Sequence, residues 1–108
     1  MTATERDITP KISLTLTNFA TATMRRIKQL GVDHVCTGLG KIPWSEEEIR
    51  ARMDQLEAEG LALSNLMIGG FPNAIYGRPG RDEEIDKVCA SIRAAGRAGL
   101  PVIEYNFY

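Results

Sequence analysis

The sequence has little of several features that usually indicate a function. Its formal net charge is −1, which gives no electrostatic basis for binding nucleic acid or an anionic membrane. No run reaches the roughly 18 apolar residues of a membrane-spanning helix, and residues 1–10 lack the apolar core of a signal peptide. The two cysteines, Cys36 and Cys89, are therefore interpreted as buried free thiols in a reducing compartment. We predict a cytoplasmic protein without a nucleic-acid or membrane partner.

Motifs that carry chemistry are also scarce. The segment after the first predicted strand, Thr17-Asn18-Phe19-Ala20, is not a glycine-rich phosphate turn. There is no Ser/His/Asp arrangement and no Cys-x-x-Cys pair. His34 is the single histidine, and with Cys36 two positions on it provides too few ligands for a metal site. We therefore assign neither a catalytic residue nor a metal ligand to this chain.

What the sequence does contain is a repeated alternation of strand and helix patterns. Gly31, Gly60 and Gly99 each follow an amphipathic helix pattern and precede a short apolar run. Strands are predicted at residues 12–17, 32–37, 61–66 and 102–107. The predicted element order is β-α-β-α-β-α-β, which is typical of a parallel sheet with helices on its faces.

Two architectures fit this order, an open doubly wound sheet and a closed (β/α)8 barrel. The missing phosphate turn and the long loops after strands, at 38–44 and 67–80, favour the barrel, whose active sites lie on that face. We predict an α/β fold that is a partial TIM barrel truncated after strand four. Residues 1–10 are expected to form a flexible leader and residues 11–108 the N-terminal half of the barrel domain. The alternation stops after a strand, so we expect the front part of a larger enzyme.

The predicted helices carry local signals of their own. Asn18 is expected to cap the first helix, and Ser45-Glu46-Glu47-Glu48 is a capping box for the second. Glu46–Arg50 and Glu48–Arg52 have the spacing of i,i+4 ion pairs. Trp44 is interpreted as a hydrophobic staple of the second helix. The predicted apolar face of the third helix consists of Ile85, Val88, Cys89 and Ile92.

Strand four provides the best candidates for ligand contacts. Side chains alternate along a strand, so Glu104 and Asn106 point to one face and the apolar and aromatic residues between them to the other. The apolar set suits the face under the helices, which places Glu104 and Asn106 inside the barrel near its carboxyl-end mouth. The alternative is that Glu104 makes a structural hydrogen bond or ion pair with a neighbouring strand.

The long loop at 67–80 provides two further substrate-binding candidates. Tyr76 and Arg78 are polar side chains in a segment rich in aromatic residues, glycine and proline, which favours an ordered lid. A guanidinium such as that of Arg78 suits a carboxylate by bidentate pairing. The alternative is that the loop packs on itself and leaves Arg78 in solvent.

Three segments together resemble a known family. They are Thr37-Gly38-Leu39-Gly40-Lys41-Ile42-Pro43 before a Glu-rich helix, Gly80-Arg81-Asp82-Glu83, and Ala98-Gly99-Leu100-Pro101-Val102-Ile103-Glu104-Tyr105-Asn106-Phe107. They are similar to the N-terminal part of the D-mannonate dehydratase family, which belongs to the xylose-isomerase-like TIM barrels. The resemblance covers about residues 27–108, and Tyr105-Asn106-Phe107 is its most specific part.

The resemblance implies a metal-dependent lyase of carbohydrate metabolism. Such an enzyme converts D-mannonate, a small sugar acid, to 2-dehydro-3-deoxy-D-gluconate and water in hexuronate (glucuronate) catabolism. It also implies a divalent cofactor, manganese or iron, held by histidine, cysteine and aspartate ligands from later strands, beyond Tyr108. On this interpretation the 108-residue chain alone is inactive.

Two alternatives stay open. The family's first strand usually carries Arg-Trp-Tyr-Gly, and residues 12–19 contain nothing similar. A sugar isomerase or epimerase of the same barrel class is therefore one alternative. The other is a non-catalytic half-barrel that assembles with a partner, for example as a homo-oligomer, because its first and last strands would be open edges.

Overall fold

The computed structural model of the chain describes residues 10–107. Most of the predicted leader, residues 1–9, therefore lies outside the described residues. The elements in chain order are β1 (Ser13–Thr15), α1 (Thr21–Gln29), β2 (His34–Gly38), α2 (Glu46–Glu57), β3 (Ala62–Ile68), α3 (Pro72–Tyr76), α4 (Arg81–Ala98) and β4 (Ile103–Tyr105). Gly31, Gly60 and Gly99 follow α1, α2 and α4 with positive φ angles, as predicted for helix-ending glycines.

The four strands form one parallel sheet in the order β1-β2-β3-β4. Each strand pairs with the next strand in the sequence, and a helical connection lies between them. This is the arrangement of four consecutive strands of a (β/α) barrel. The predicted α/β class and strand order are confirmed. β1 and β4 are the outer strands of this sheet.

The hydrophobic core lies between the outer face of the sheet and the helices. Leu16, Val35 and Leu66 provide its sheet side, and Ile49 and Leu56 of α2 belong to the same buried cluster. All five side chains are at most 2% exposed, so shortening any of them would leave a cavity that costs about 2–5 kcal/mol. The alternation of apolar and polar residues along each strand directs the polar set to the opposite face, which would be the inside of a barrel.

A β-bulge in β3 changes this alternation. Val35 of β2 pairs with Leu63, but the next residue, Cys36, pairs with Asn65. Ser64 is therefore the extra residue. Because of the bulge, Leu63 and Leu66 both face the core, while Ser64 and Asn65 lie side by side on the polar face. The bulge thus places two polar side chains in one layer of the inner face.

The structure changes several predicted boundaries. β1 is shorter than residues 12–17, and β3 extends through Ile68 instead of ending at 66. The predicted long loop is therefore shorter, and it contains the short helix α3. Asn18 does not cap α1, which begins at Thr21; its Oδ1 instead accepts from the backbone N of Ala20 at 2.8 Å.

The predicted signals at α2 are confirmed in part. Ser45 Oγ accepts from the backbone N of Glu48 at 3.1 Å, and Arg50 pairs with Glu46 at 2.8 Å. The predicted Glu48–Arg52 pair is wrong. The guanidinium of Arg52 instead lies 3.6 Å above the ring of Phe19.

The predicted buried face of α4 is confirmed only at Val88, which packs half-buried against the core. Ser91, Ala94, Ala95 and Ala98 are the buried residues of this helix, which packs against α2. Ile85 and Ile92 are 46% and 50% exposed. The reason is that α4 carries two stripes. The stripe of small residues allows close approach to α2, and the larger apolar residues lie on the side away from it.

That second stripe lines an apolar groove between α4 and β4. The groove has a volume of about 640 Å³. Its lining includes Ile85, Val88, Cys89, Ile92, Tyr105 and Phe107. The rings of Tyr105 and Phe107 meet edge to face at 5.1 Å.

In the described part of the chain, no helix is both long and apolar enough to cross a membrane.

Candidate functional site

The candidate site is a cleft at the carboxyl ends of the four strands. In parallel α/β sheets this is the edge where ligands bind, because the loops that follow the strands meet there. The cleft has a volume of about 460 Å³, within the range of small-molecule sites. Its lining residues are Thr15, Thr17, Cys36, Thr37, Gly38, Met67, Ile68, Gly69, Gly70, Phe71, Pro72, Ile75, Glu104 and Asn106.

Both strand-four candidates line this cleft. Glu104 lies in β4 and Asn106 follows its end, and both side chains are half-buried. Ile103, the residue before Glu104, packs against the core instead. The alternation predicted for strand four therefore gives the observed faces. Asn106 also contacts Met67, whose Sδ lies 3.4 Å from Nδ2.

The carboxylate of Glu104 is held from the neighbouring strand. The side-chain amide of Asn65 donates through Nδ2 to Oε1 of Glu104 at 2.7 Å. This is the inter-strand hydrogen bond foreseen as the structural alternative for Glu104. It does not remove Glu104 from the cleft, since the residue remains part of the lining. One side chain therefore has both a structural partner and access to a ligand.

The hydrogen bond continues across the sheet. Ser64 Oγ lies 2.7 Å from Oδ1 of Asn65, 3.0 Å from the backbone oxygen of Val35, and 2.7 Å from Oγ of Ser13. A line of polar contacts thus connects β1, β3 and β4. Because the carboxylate of Glu104 only accepts, the nitrogen of the Asn65 carboxamide faces Glu104 and its oxygen faces Ser64.

Hydroxyl and thiol groups provide the polar atoms on the β1 side of the cleft. Thr15 Oγ1 lies 3.4 Å from Sγ of Cys36. Thr37 is buried, and its Oγ1 donates to the backbone oxygen of Leu16 at 2.6 Å. Thr15 and Thr17 are exposed. Their hydroxyls are therefore accessible to a polyhydroxy ligand in the cleft.

The opposite wall is apolar and comes from the segment after β3. Phe71 is buried and Ile75 of α3 is half-buried against the core. Glu84 of α4 fixes this segment, because its carboxylate accepts from the backbone N of Asn73 at 3.3 Å and of Ala74 at 2.9 Å. These are N–H groups at the start of α3, where a negative charge is favoured.

The two loop candidates do not line the cleft. Tyr76 ends α3 and is 67% exposed, and the guanidinium of Arg78 lies 4.8 Å from the centre of its ring. The backbone N of Arg78 donates to the oxygen of Asn73 at 2.8 Å. The structure thus brings Glu104 and Asn106 together and places Tyr76 and Arg78 outside the cleft lining.

The residues that bind metals most often are dispersed. His34 begins β2, at the opposite end of the strand from the cleft. Cys36 and Cys89 are both free thiols and half-buried, not fully buried as expected. Residues 10–107 contain no group of three or more His, Cys, Asp or Glu side chains that could hold a metal ion.

Sequence reasoning missed Ser64 and Asn65. Both fall inside the predicted third strand, where they interrupt an otherwise apolar run. Asparagine is disfavoured in strands, so this polar interruption is a signal that could have marked the site. The bulge itself has no signature in the sequence.

Comparison with known proteins gives one consistent result. The family model for D-mannonate dehydratase (UxuA) matches residues 15–108. A mannonate dehydratase of Streptococcus pneumoniae is 33% identical over 93 residues, which cover 79% of this chain and 25% of the relative. A mannonate dehydratase of Thermotoga petrophila is also 33% identical over 93 residues, with 81% and 26% covered.

The fold comparison agrees. The crystal structure of mannonate dehydratase from Streptococcus suis serotype 2 matches with a TM-score of 0.79 and 30% sequence identity. The match covers 90% of this chain and 30% of that chain. The four-stranded sheet therefore corresponds to part of that larger protein. The chain spans about a quarter of the length of the relatives it matches.

Proposed function

This chain belongs to the D-mannonate dehydratase family, and we propose that it acts as the N-terminal part of a lyase that removes water from D-mannonate to give 2-dehydro-3-deoxy-D-gluconate. The observation that carries the proposal is the cleft at the carboxyl ends of the strands. Its lining combines Glu104, Asn106, Thr15 and Thr17 with the apolar wall at Phe71. Hydroxyl, amide and carboxylate groups suit a polyhydroxy acid, and the apolar wall excludes water from it.

Each polar group of the cleft has a defined role in this proposal. The carboxamide of Asn106 binds a hydroxyl or carboxylate oxygen of the sugar acid, and the carboxylate of Glu104 accepts from a hydroxyl. Tyr76 and Arg78 remain candidate contacts. Arg78 is proposed as a partner of the substrate carboxylate, although it lies outside the cleft lining of this chain.

The family implies a divalent metal, for which we propose manganese or iron. Residues 10–107 do not fit such an ion, because they contain no group of three potential ligands. Its ligands are proposed to come from later strands of the enzyme, beyond Tyr108. The role of this chain is then to bind and orient the sugar acid, and the 108 residues alone are expected to be inactive.

The wider setting of the enzyme belongs to the same proposal. D-Mannonate is an intermediate of hexuronate breakdown, so we place the enzyme in glucuronate catabolism in the cytoplasm. The free thiols of Cys36 and Cys89 are compatible with a reducing compartment. The net charge of −1 supports neither a nucleic-acid nor an anionic membrane partner.

A chimaeric enzyme tests the proposal. Residues 10–107 would replace the structurally matching part of the Streptococcus suis enzyme, and D-mannonate turnover would be measured with added Mn²⁺. We expect formation of 2-dehydro-3-deoxy-D-gluconate. A folded, metal-loaded chimaera that leaves D-mannonate unchanged would contradict the proposal.

A second candidate function, a half-barrel that assembles with another copy, is favoured by the apolar groove. Ile92, Tyr105 and Phe107 are 50%, 60% and 68% exposed in it, and exposed apolar surface of this kind marks interaction sites. β1 and β4 also have unpaired outer edges in the described sheet. Light scattering on the 108-residue chain decides this candidate. A discrete dimer that Ile92→Glu dissociates supports it, and a monomer rejects it.

A further inference from the structure

We propose that Asn65 is a positioning residue, which holds the carboxylate of Glu104 in the orientation that binds a substrate hydroxyl. This inference rests on the proposed function, because it requires that a sugar acid occupies the cleft. Asn65 itself is not part of the cleft lining. Its effect on a ligand would therefore pass through Glu104.

The first step is the geometry of the carboxylate. Oε1 of Glu104 accepts from Nδ2 of Asn65 at 2.7 Å, and a carboxylate has two oxygens with several acceptor positions. Among residues 10–107, no second hydrogen bond to this carboxylate is found. One oxygen is thus anchored on the sheet, while the group as a whole lines the cleft. This leaves Oε2 as the acceptor for a ligand.

The second step is the orientation of the Asn65 carboxamide. A carboxylate only accepts hydrogen bonds, so Glu104 selects the amide nitrogen of Asn65 as its donor. Oδ1 of Asn65 then lies 2.7 Å from the hydroxyl of Ser64, which can donate to it. The contact with Ser64 therefore complements the orientation that Glu104 requires.

The third step is the bulge that makes the arrangement possible. In a regular strand, adjacent side chains point to opposite faces and could not contact each other in this way. The irregular pairing between Val35/Cys36 and β3 places Ser64 and Asn65 on one face. Bulges are common next to active sites, where they redirect a side chain. The bulge in β3 therefore has a specific consequence, the alignment of Glu104.

Exchange of the two functional groups separates a positioning role from a structural one. Asn65→Asp places two carboxylates next to each other, and like charges repel. The double variant Asn65→Asp/Glu104→Gln restores a hydrogen bond with reversed direction, from the amide of residue 104 to the carboxylate of residue 65. It restores the contact between the strands but leaves residue 104 without a charge.

Two measurements are made on these variants. On the 108-residue chain, the urea midpoint should fall with Asn65→Asp and return to within error of the parent in the double variant. In the chimaeric enzyme, Asn65→Leu should raise the KM for D-mannonate about tenfold and change kcat less than threefold. The double variant should bring KM back toward that of the parent, because the amide oxygen at residue 104 is again an oriented acceptor. An unchanged KM in Asn65→Leu would overturn the proposal, since the contact would then be only structural.

A third measurement tests the contact between Asn65 and Glu104 independently of enzyme activity, and therefore independently of the proposed function. ¹⁵N NMR of the 108-residue chain reports the side-chain NH₂ group of Asn65. We expect Glu104→Ala to shift this signal strongly, Glu104→Gln to shift it less, and the distant control Gln29→Ala to leave it unchanged. If the parent chimaera is inactive, the proposed function fails. If Glu104→Ala leaves the Asn65 side-chain signal unshifted, the positioning role is refuted, whether or not the chimaera is active.

Discussion

The backbone N of Trp44 donates a hydrogen bond of 2.9 Å to Oγ of Ser91, which connects the loop after β2 to the middle of α4. Ser91 is fully buried, and its hydroxyl donates in turn to the backbone oxygen of Lys87 at 2.8 Å. The indole of Trp44 is also buried, and its Nε1 donates to the backbone oxygen of Gly40 at 2.8 Å. One serine thus satisfies a backbone group that water cannot reach.

We predict that Ser91→Ala destabilises the chain by about 1–3 kcal/mol, because it leaves the Trp44 N–H buried without an acceptor. Urea unfolding followed by tryptophan fluorescence measures this, since Trp44 is the only tryptophan in the sequence. Ser91→Thr, which keeps the hydroxyl, should cost less. Equal midpoints for Ser91→Ala and the parent would show that the hydrogen bond contributes nothing.

The contact between Arg52 and Phe19 should be measurable as a coupling energy. The guanidinium lies 3.6 Å above the ring, and its Nη1 is buried without a hydrogen-bond partner among the described residues. Burial lowers the pKa of Arg52, so the charge is partly removed from water and the ring is its compensating contact. A double-mutant cycle of Arg52→Met and Phe19→Leu should give a coupling of about 0.5–1 kcal/mol. Additive effects of the two changes would contradict a direct interaction.

Glu46 should contribute a pH-dependent part of the stability. Hydrogen bonding to Arg50, aided by the charges of Arg50 and Arg97, lowers the pKa of Glu46 below its ordinary value of 4.5. A carboxyl group with a lower pKa in the folded state stabilises it above about pH 4.5, and this contribution disappears as the pH falls through the folded-state pKa.

Glu46→Gln should therefore lower the urea midpoint at neutral pH and approach the parent at about pH 2. Glu47→Gln is the matched control, because Glu47 is in the same helical turn but forms none of the ion pairs found among residues 10–107. A difference between Glu46→Gln and the parent that stays constant over this pH range would show that the ion pairs are not its source.

Glu84 should control the order of the wall beside the cleft. Its carboxylate accepts from the first N–H groups of α3, at Asn73 and Ala74. We expect Glu84→Ala to cost about 1 kcal/mol and to speed amide hydrogen exchange at Ala74, while α4 keeps its protection. Glu83→Ala is the control, because among residues 10–107 Glu83 forms an ion pair with Lys87 alone, on the exposed side of the helix. Equal exchange at Ala74 in the two variants would contradict the role of Glu84.

How far the sequence predicts this structure depends on whether a feature is local. Strand alternation placed Glu104 correctly on the inner face, because a side chain's face follows directly from its position in a regular strand. The buried face of α4 could not be read in the same way. Its larger apolar residues, such as Ile85 and Ile92, indicated a core face. In the structure the small residues around Ala95 are buried instead, on the side of α4 that packs against α2. Which stripe is covered depends on the neighbouring helix.

The same reasoning explains why Asn65 escaped prediction. A bulge arises from the pairing of two strands, and neither strand alone specifies it. Without the bulge, Asn65 of β3 would point away from Ser64, and no contact with Glu104 would be expected. Long-range pairing thus determines the part of the site that the sequence does not reveal.

Asn106 provides the last prediction, on the binding of the sugar acid. It lines the cleft beside Glu104 and follows the end of β4, where a carboxamide can both donate to and accept from a ligand. In the chimaeric enzyme we expect Asn106→Ala to lower kcat/KM for D-mannonate at least tenfold, since a hydrogen bond to an oriented substrate contributes more than about 1.4 kcal/mol. Gln29→Ala, on the exposed end of α1, is the control and should leave kcat/KM unchanged. If Asn106→Ala and the control have the same kcat/KM, Asn106 does not contact the substrate, and binding must depend on Glu104 and the threonine hydroxyls.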